Sequence, residues 1–381
     1  MNLKDLEDNV TKSLAFVDND VTDNFLERFQ EALSKNTSLQ CLKCTLSRHD
    51  SLSPIANALK VNSTINSLWI ELTLKEVERE LSVADMMQPD LQDRLHRLRL
   101  EGALAIANAL RLNSSLTSLS LQRSGIENEG ALEIAEALKV NSSLSLIDLG
   151  SNKIGNEGAS AIAEALKVNS SLEQLILRKN AISCEGAVAI AQALKVNSSL
   201  WSINLEVNRI QVEGASAIAD ALKVNSSLSS LGLNCNYIRR EGATAIAEAL
   251  KLNSSLTSID LRWNKIGSDG AFNIAETFKV NSSLSTIHLD GNMIGDEGAS
   301  KFAEVLKVNS SLTLVYLGSN RIGNEGAFAI AKMLKVNTSL FLLDLRQNCI
   351  KDEGTFAIVE ALKLNVTLLS LNFYSNSIEM D

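Results

Sequence analysis

A chain of 381 residues with 45% hydrophobic, 21% charged and only 4% aromatic residues can bury a core, but one of uniform aliphatic side chains, which excludes a disordered or collagen-like polypeptide. A net charge of −9 argues against sequence-independent nucleic-acid binding, because such binding rests on Lys and Arg neutralising phosphates. Two prolines and 19 glycines, most of the glycines at one fixed interval, leave the usual punctuation between separate domains missing.

The stretch 1–20 carries Asp5, Glu7, Asp8, Asp18 and Asp20 and no apolar run of signal-peptide length, and no stretch of about 18 apolar residues follows it. Cys41, Cys44, Cys184, Cys235 and Cys349 are too scattered for a disulfide framework. The expectation is one cytoplasmic domain over 1–381 with no membrane association.

Residues 8–35 accept a strand, turn and helix template, with Leu14, Phe16, Asn19 and Val21 at its strand and turn positions, and 36–61 forms a similar unit two residues short. After Asn62 the register breaks. Ile65, Leu68 and Ile70 give one strand, and Leu95, Leu98 and Leu100 spell LxxLxL again before Glu101-Gly102-Ala103. Two partitions fit: a 30-residue unit followed by one of 21, or one unit with a 23-residue insertion. Within the charged segment 71–94, Lys75, Glu76, Glu78, Arg79 and Glu80 predict a helix over 72–87 that Pro89 ends. Such a helix is either the solvated face of its unit or a protrusion that recruits a second partner.

From 113 to 364 the chain repeats every 28 residues. Asn-Ser-Ser-Leu recurs at Asn113, Asn141, Asn169, Asn197, Asn225, Asn253, Asn281 and Asn309, and continues at Asn337 and Asn365. Numbering each unit from that Asn, positions 4, 7 and 9 are aliphatic and position 14 is Ile. Leu144, Ile147 and Leu149 end in strand-like alternation, and Ala159, Ile162, Ala163 and Leu166 then follow helical spacing. A polar residue at position 16 (Asn128, Asn156, Ser268, Asp296, Asn324, Asp352) reads as the cap of its own helix, and the Asn of position 1 as a left-handed helix terminator. Asn at position 12 in Asn152, Asn180, Asn208, Asn236, Asn264, Asn292, Asn320, Asn348 and Asn376 reads as a buried amide bonding the turns of its own and the next unit. Residues 365–381 give a partial unit, where Phe373 and Tyr374 either shield the last layer or meet another chain; the chain is otherwise expected to be monomeric.

LxxLxLxxNxI followed by a helix resembles the leucine-rich repeat, and the 28-residue length resembles its ribonuclease-inhibitor-like subclass, found also in NOD-like receptors and the Ran GTPase-activating protein. The resemblance implies an α/β solenoid, a horseshoe with a parallel β-sheet on the concave face and α-helices on the convex face. No residue of the Ran GTPase-activating protein is carried over, since no departure in these repeats matches its active loops.

Material for catalysis is sparse. There are three histidines (His49, His96, His288), Cys44 of the CxxC at Cys41 falls on core position 9, and GxxxxGK[ST], GxSxG and HExxH are missing. The expectation is no enzyme, no cofactor and no metal. Thirteen NxS/T sequons are nearly all the repeat's own turn.

Positions 6, 8, 10, 11 and 13 are those the fold leaves free. Five of the six Trp and Tyr residues occupy them: Trp69, Tyr237, Trp263, Tyr316 and Tyr374. Such rings dominate binding hot spots. Position 10 is Arg at Arg178, Arg262 and Arg346, each three units apart, and Arg262 and Trp263 with Asp260, His288 and Asp290 make the most chemically varied patch. The function expected is a protein-binding scaffold. Two alternatives stay open: a regulator of an enzyme, as GTPase activator or hydrolase inhibitor, or a bacterial effector that imitates host repeats in the host cytosol.

Overall fold

The computed structural model describes residues 12–17, 23–46, 52–72 and 89–377. They fall in two compact units, Met1–Ile182 and Ser183–Asp381. In the first, strands β1 (Ser13–Val17), β2 (Cys41–Leu46), β3 (Ser67–Leu72), β4 (Ser118–Ser120), β5 (Leu146–Asp148) and β6 (Gln174–Ile176) alternate with helices α1 (Asp23–Lys35), α2 (Leu52–Leu59), α3 (Pro89–Leu112), α4 (Glu127–Leu138) and α5 (Asn156–Leu166). The second begins with α6 (Cys184–Leu194) and continues through β7 (Ser202–Asn204), α7 (Gln211–Leu222), β8 (Ser230–Gly232), α8 (Arg239–Leu250), β9 (Ser258–Asp260) and α9 (Gly267–Thr277). It ends with β10 (Thr286–His288), α10 (Gly295–Leu306), β11 (Leu314–Tyr316), α11 (Asn324–Leu334), β12 (Leu342–Asp344), α12 (Asp352–Leu362) and β13 (Ser370–Asn372).

Within each unit the strands pair in parallel and in chain order, and the repeat sets the register: Leu119 pairs with Ile147 and Ile259 with Ile287, 28 residues on. The middle residue of each short strand points at the helices and its two flanking residues point away, since side chains alternate along a strand. Leu256, Ile259, Leu261, Ile266, Ala271, Ile274 and Ala275 are all buried. Ala and Gly on the inner helix face let helices stack closely. A Cβ on Gly242 would lie 2.6 Å from Ile238 Cγ2 of its own repeat and 3.0 Å from Ala215 Cβ of the preceding helix, so a side chain there would displace Ile238 and press on the neighbouring helix.

Leu95, Leu98 and Leu100 are in a helix, not a strand, because α3 runs unbroken over 24 residues. β3 pairs directly with β4, Leu68 opposite Leu119, so the partition with one unit and a 23-residue insertion is the one the chain adopts. Leu is a strong helix former, and from Leu98 the spacing runs on through Ala103, Ile106, Ala107 and Leu110, which are buried. Pro89 is the first residue of this helix, a position where its missing N–H costs nothing. Leu72 is the last residue of β3, and 73–88, most of the expected charged helix, lie outside the described residues.

Two expectations about helix ends change. At position 16, Asn128, Asp296 and Asn324 cap the helix of the following repeat, not their own: Asn128 Oδ1 accepts from Gly155 N at 2.8 Å and Gly158 N at 3.1 Å, Asp296 Oδ1 from Gly323 N and Gly326 N, and Asn324 Oδ1 from Lys351 N and Gly354 N, whereas Ser268 Oγ has no hydrogen-bond partner among the described residues. The Asn at position 1 is not left-handed. Asn253, buried, accepts from Ser255 N and Leu256 N and donates to Leu222 O and Asn225 O of the repeat before, so it fastens one layer to the next. The left-handed residues fall in the turn instead, at position 11 from Arg123 to Ser375, at position 13 as in Tyr237 and Lys265, and at position 15 in Glu127, Gln211 and Arg239.

The position-12 amides join turns, but their side chains reach back to the preceding repeat and not on to the next one. Asn264 donates to Leu233 O (2.9 Å), Leu261 O (3.0 Å) and Arg262 O (3.1 Å) and accepts from Asn236 N and Ile238 N, and its own N–H goes to Asn292 Oδ1. In the last repeat Leu368, Leu371 and Phe373 are half-buried, where Leu340, Leu343 and Leu345 one repeat earlier are fully buried, and Tyr374 faces solvent.

Candidate protein-interaction site

The face of the second unit's sheet turned away from the helices carries positions 6 and 8 of each strand and position 10 just beyond it. At the end of β9, Asp260 accepts the backbone N–H of Arg262 at 3.0 Å, which explains an acid at position 8 in local terms: it closes the turn where the strand ends. The same carboxylate takes the Arg262 guanidinium on both oxygens, Nε lying 3.0 Å and 2.8 Å from Oδ1 and Oδ2 with Nη2 closer still, and Glu206 Oε1 stands 4.0 Å away. Asp344 bonds Arg346 N at 2.9 Å and the Arg346 Nε at 3.4 Å.

Arg346 also reaches Asp290, two repeats back, at 3.3 Å. Gly318 permits this, since a Cβ there would lie 2.8 Å from Asp290 Oδ1 and 3.0 Å from Arg346 Cγ. The result is layered: the carboxylates of Asp260, Asp290 and Asp344 are 12%, 4% and 5% exposed, and the guanidiniums of Arg262 and Arg346 above them 32% and 42%. The exposed guanidinium edges thus have their charge balanced from beneath.

Rings complete the patch. His288 and Tyr316 stack at 4.0 Å and 13°. Trp263, held at φ +56°, lies over Gly291, where a Cβ would stand 2.4 Å from the indole. Trp263 remains 54% exposed, so the fold leaves half of its largest surface aromatic in water. Burial lowers the His288 pKa below the usual imidazole value, with Asp260 opposing. Burial likewise raises the Asp290 pKa, with its own backbone amide opposing. Asp290 Oδ2 has no hydrogen-bond partner among the described residues.

Seven of the expected residues, Asp260, Arg262, Trp263, His288, Asp290, Tyr316 and Arg346, thus share one face across four successive repeats. The other four do not join them. Tyr237 sits on the turn edge with Lys265 Nζ 5.4 Å from its ring centroid, and Tyr374 is in the last repeat. Arg178 and Trp69 are in the first unit, Arg178 packed on Gly150 beside Asp148 and Trp69 under Lys43 at 4.8 Å. Sequence reasoning passed over Asp344 and the turn-edge cations Arg209, Arg239 and Lys265. A signal for Arg239 was present: it occupies position 15, where the next two repeats place Gly267 and Gly295. It also passed over His96, Glu127 and Glu129, whose donor atoms lie within 4.8 Å of one another; Arg99 already pairs with Glu127 at 2.9 Å.

A Leucine Rich repeat model matches eight segments of the chain, 112–135, 140–163, 168–191, 196–219, 252–275, 280–303, 308–331 and 336–359. The chain belongs to the leucine-rich repeat family. The turn-edge residues Tyr237, Arg239 and Arg240 lie between the matched segments. No curated protein matches the sequence. Among solved structures it is similar to leiomodin-1 actin-binding site 2, at 28% identity over 35% of this chain and 79% of that one, with a TM-score of 0.33. It is also similar to the tropomodulin C-terminal domain of Caenorhabditis elegans, at 20% identity over 40% of this chain and 92% of that one, again with a TM-score of 0.33. Among the described residues no helix is long and apolar enough to cross a membrane.

Proposed function

We propose that this leucine-rich repeat protein is a non-catalytic scaffold that binds a protein partner on the open sheet face of its second unit. The observation that supports this most is the half-exposed Trp263 indole seated on Gly291 beside the charge-balanced arginines, on positions the repeat does not need for its core. Aromatic and Arg side chains on rigid backbone are what interface hot spots use, and the pairing of Arg262 with Asp260 pre-orders it before a partner arrives. The test is capture of partners by the full chain and by Trp263→Ala with Arg262→Ala. The proposal expects capture to be abolished with the melting curve nearly unchanged. Capture that survives the double change contradicts it, and a large loss of stability would make the pair structural.

A further inference from the structure

At the turn edge of the second unit, Arg209, Gln211, Val212, Glu213, Tyr237 and Arg239 line a concavity of about 310 Å³. Arg240, next in the chain, is tied to Asp269 at 3.2 Å and to Glu241 at 3.3 Å. Arg209 and Arg239 form no ion pair with the described residues, and Lys265 adds a third cation over the Tyr237 ring. Only one lining residue, Glu213, is acidic. Arg209 and Arg239 thus face one concavity on a protein whose net charge is −9, with Glu241 the acid whose charge Arg239 also feels.

The backbone marks the same place. Gln211 and Arg239 are held at φ +60° and +58°. Gly267 and Gly295 occupy the same position in the next two repeats at φ +71° and +64°, and a Cβ on either would meet nothing within 4 Å. Glycine is favoured there by the left-handed backbone alone, not by crowding, so Gln211 and Arg239, both lining the concavity, carry a strain that the next two repeats avoid. Strain kept where glycine would relieve it points to a use for the side chain.

We infer that this concavity is a subsite for a carboxylate side chain on an acidic segment of a partner polypeptide. Arg209 and Arg239 hold the oxyanion through charge-assisted hydrogen bonds, and the Tyr237 ring packs against the stem that carries it. The inference concerns the turn edge and does not rest on the sheet-face patch.

The probe is a fluorescein-labelled hexaglutamate peptide titrated with the full chain at low salt and read by anisotropy, with hexalysine as control. Saturable binding is expected for hexaglutamate alone, weakened roughly tenfold or more by Arg209→Gln with Arg239→Gly and tightened by Glu213→Gln. Trp263→Ala with Arg262→Ala should leave it unchanged, which separates this site from the sheet face. Arg239→Gly alone should raise the denaturation midpoint while weakening binding, so that lost binding is not lost fold. Equal affinity for the arginine variant, or no binding by the native chain, overturns the inference. Tighter binding of a neutral hexapeptide bearing one phosphoserine would overturn the carboxylate assignment.

Discussion

Replacing Asn264 by Ala removes one buried amide from the ladder that joins successive turns, and the structure says which groups suffer. Three carbonyls lose a donor, but each keeps another: Leu233 O is also reached by Asn236 Nδ2, Leu261 O by Asn292 Nδ2 and Arg262 O by Cys235 N. The amides of Asn236 and Ile238 fare differently, because Asn264 Oδ1 is their acceptor at 2.8 Å and 3.3 Å. A buried donor left unsatisfied costs roughly 1–3 kcal/mol, and the longer bond belongs at the low end, so the change should destabilise the repeat by about 2–4 kcal/mol. In a solenoid the damage stays with neighbouring layers, so amide hydrogen exchange is the right assay. Protection at Asn236 and Ile238 should fall by one to two orders of magnitude or more, at about 1.4 kcal/mol per tenfold, while β12 and α12 are unaffected and Lys265→Ala changes nothing. Unaltered protection at those two amides would refute the reasoning.

Asn128→Ala should cost about 1 kcal/mol and loosen the first turn of α5, the helix it caps, while α4 keeps its exchange rates; fraying of α4 instead would restore the cap to its own repeat. Because folding lowers the His288 pKa, its contribution is intact above the usual imidazole value of 6.5 and is lost as pH falls below it, when only the unfolded chain takes up the proton. Urea midpoints between pH 7 and 5 should therefore fall less in His288→Gln than in the native chain; parallel profiles would contradict this. Asp290 has the opposite sign for its charge: its folded pKa is raised above 3.8, so its contribution is present in acid and lost as pH rises through the folded value. Asp290→Asn should thus stabilise at pH 7 and lose that advantage near pH 4, and destabilisation at pH 7 would show that the Arg346 contact outweighs burial.

The repeat was legible because its period repeats the same physical demand at every layer: aliphatic residues at positions 4, 7, 9 and 14, Gly where helices touch, Asn where turns stack. It failed where one pattern suits two structures. Leu95, Leu98 and Leu100 satisfy a strand motif and a helix face equally, and only the pairing of β3 with β4 decides between them. The caps were misassigned because a residue at a helix start is adjacent in space to the next repeat's helix, which linear spacing does not convey. Of the candidate site, the residue types and their common face were readable, since position numbers place side chains on a sheet. The reach of Arg346 past Gly318 to Asp290 was not, because it joins residues 56 apart through a missing Cβ. Nor was the subsite at Arg209 and Arg239, which needs two turn residues seen side by side.

Hydroxyl-radical footprinting of the chain alone and with the partner it captures tests the central claim most directly. The account predicts that Trp263 and Tyr316 lose labelling on binding, while the exposed helix-side residues Leu132, Phe328 and Phe356 keep theirs. Protection of Phe328 and Phe356 with Trp263 unchanged would place the partner on the helices and contradict it.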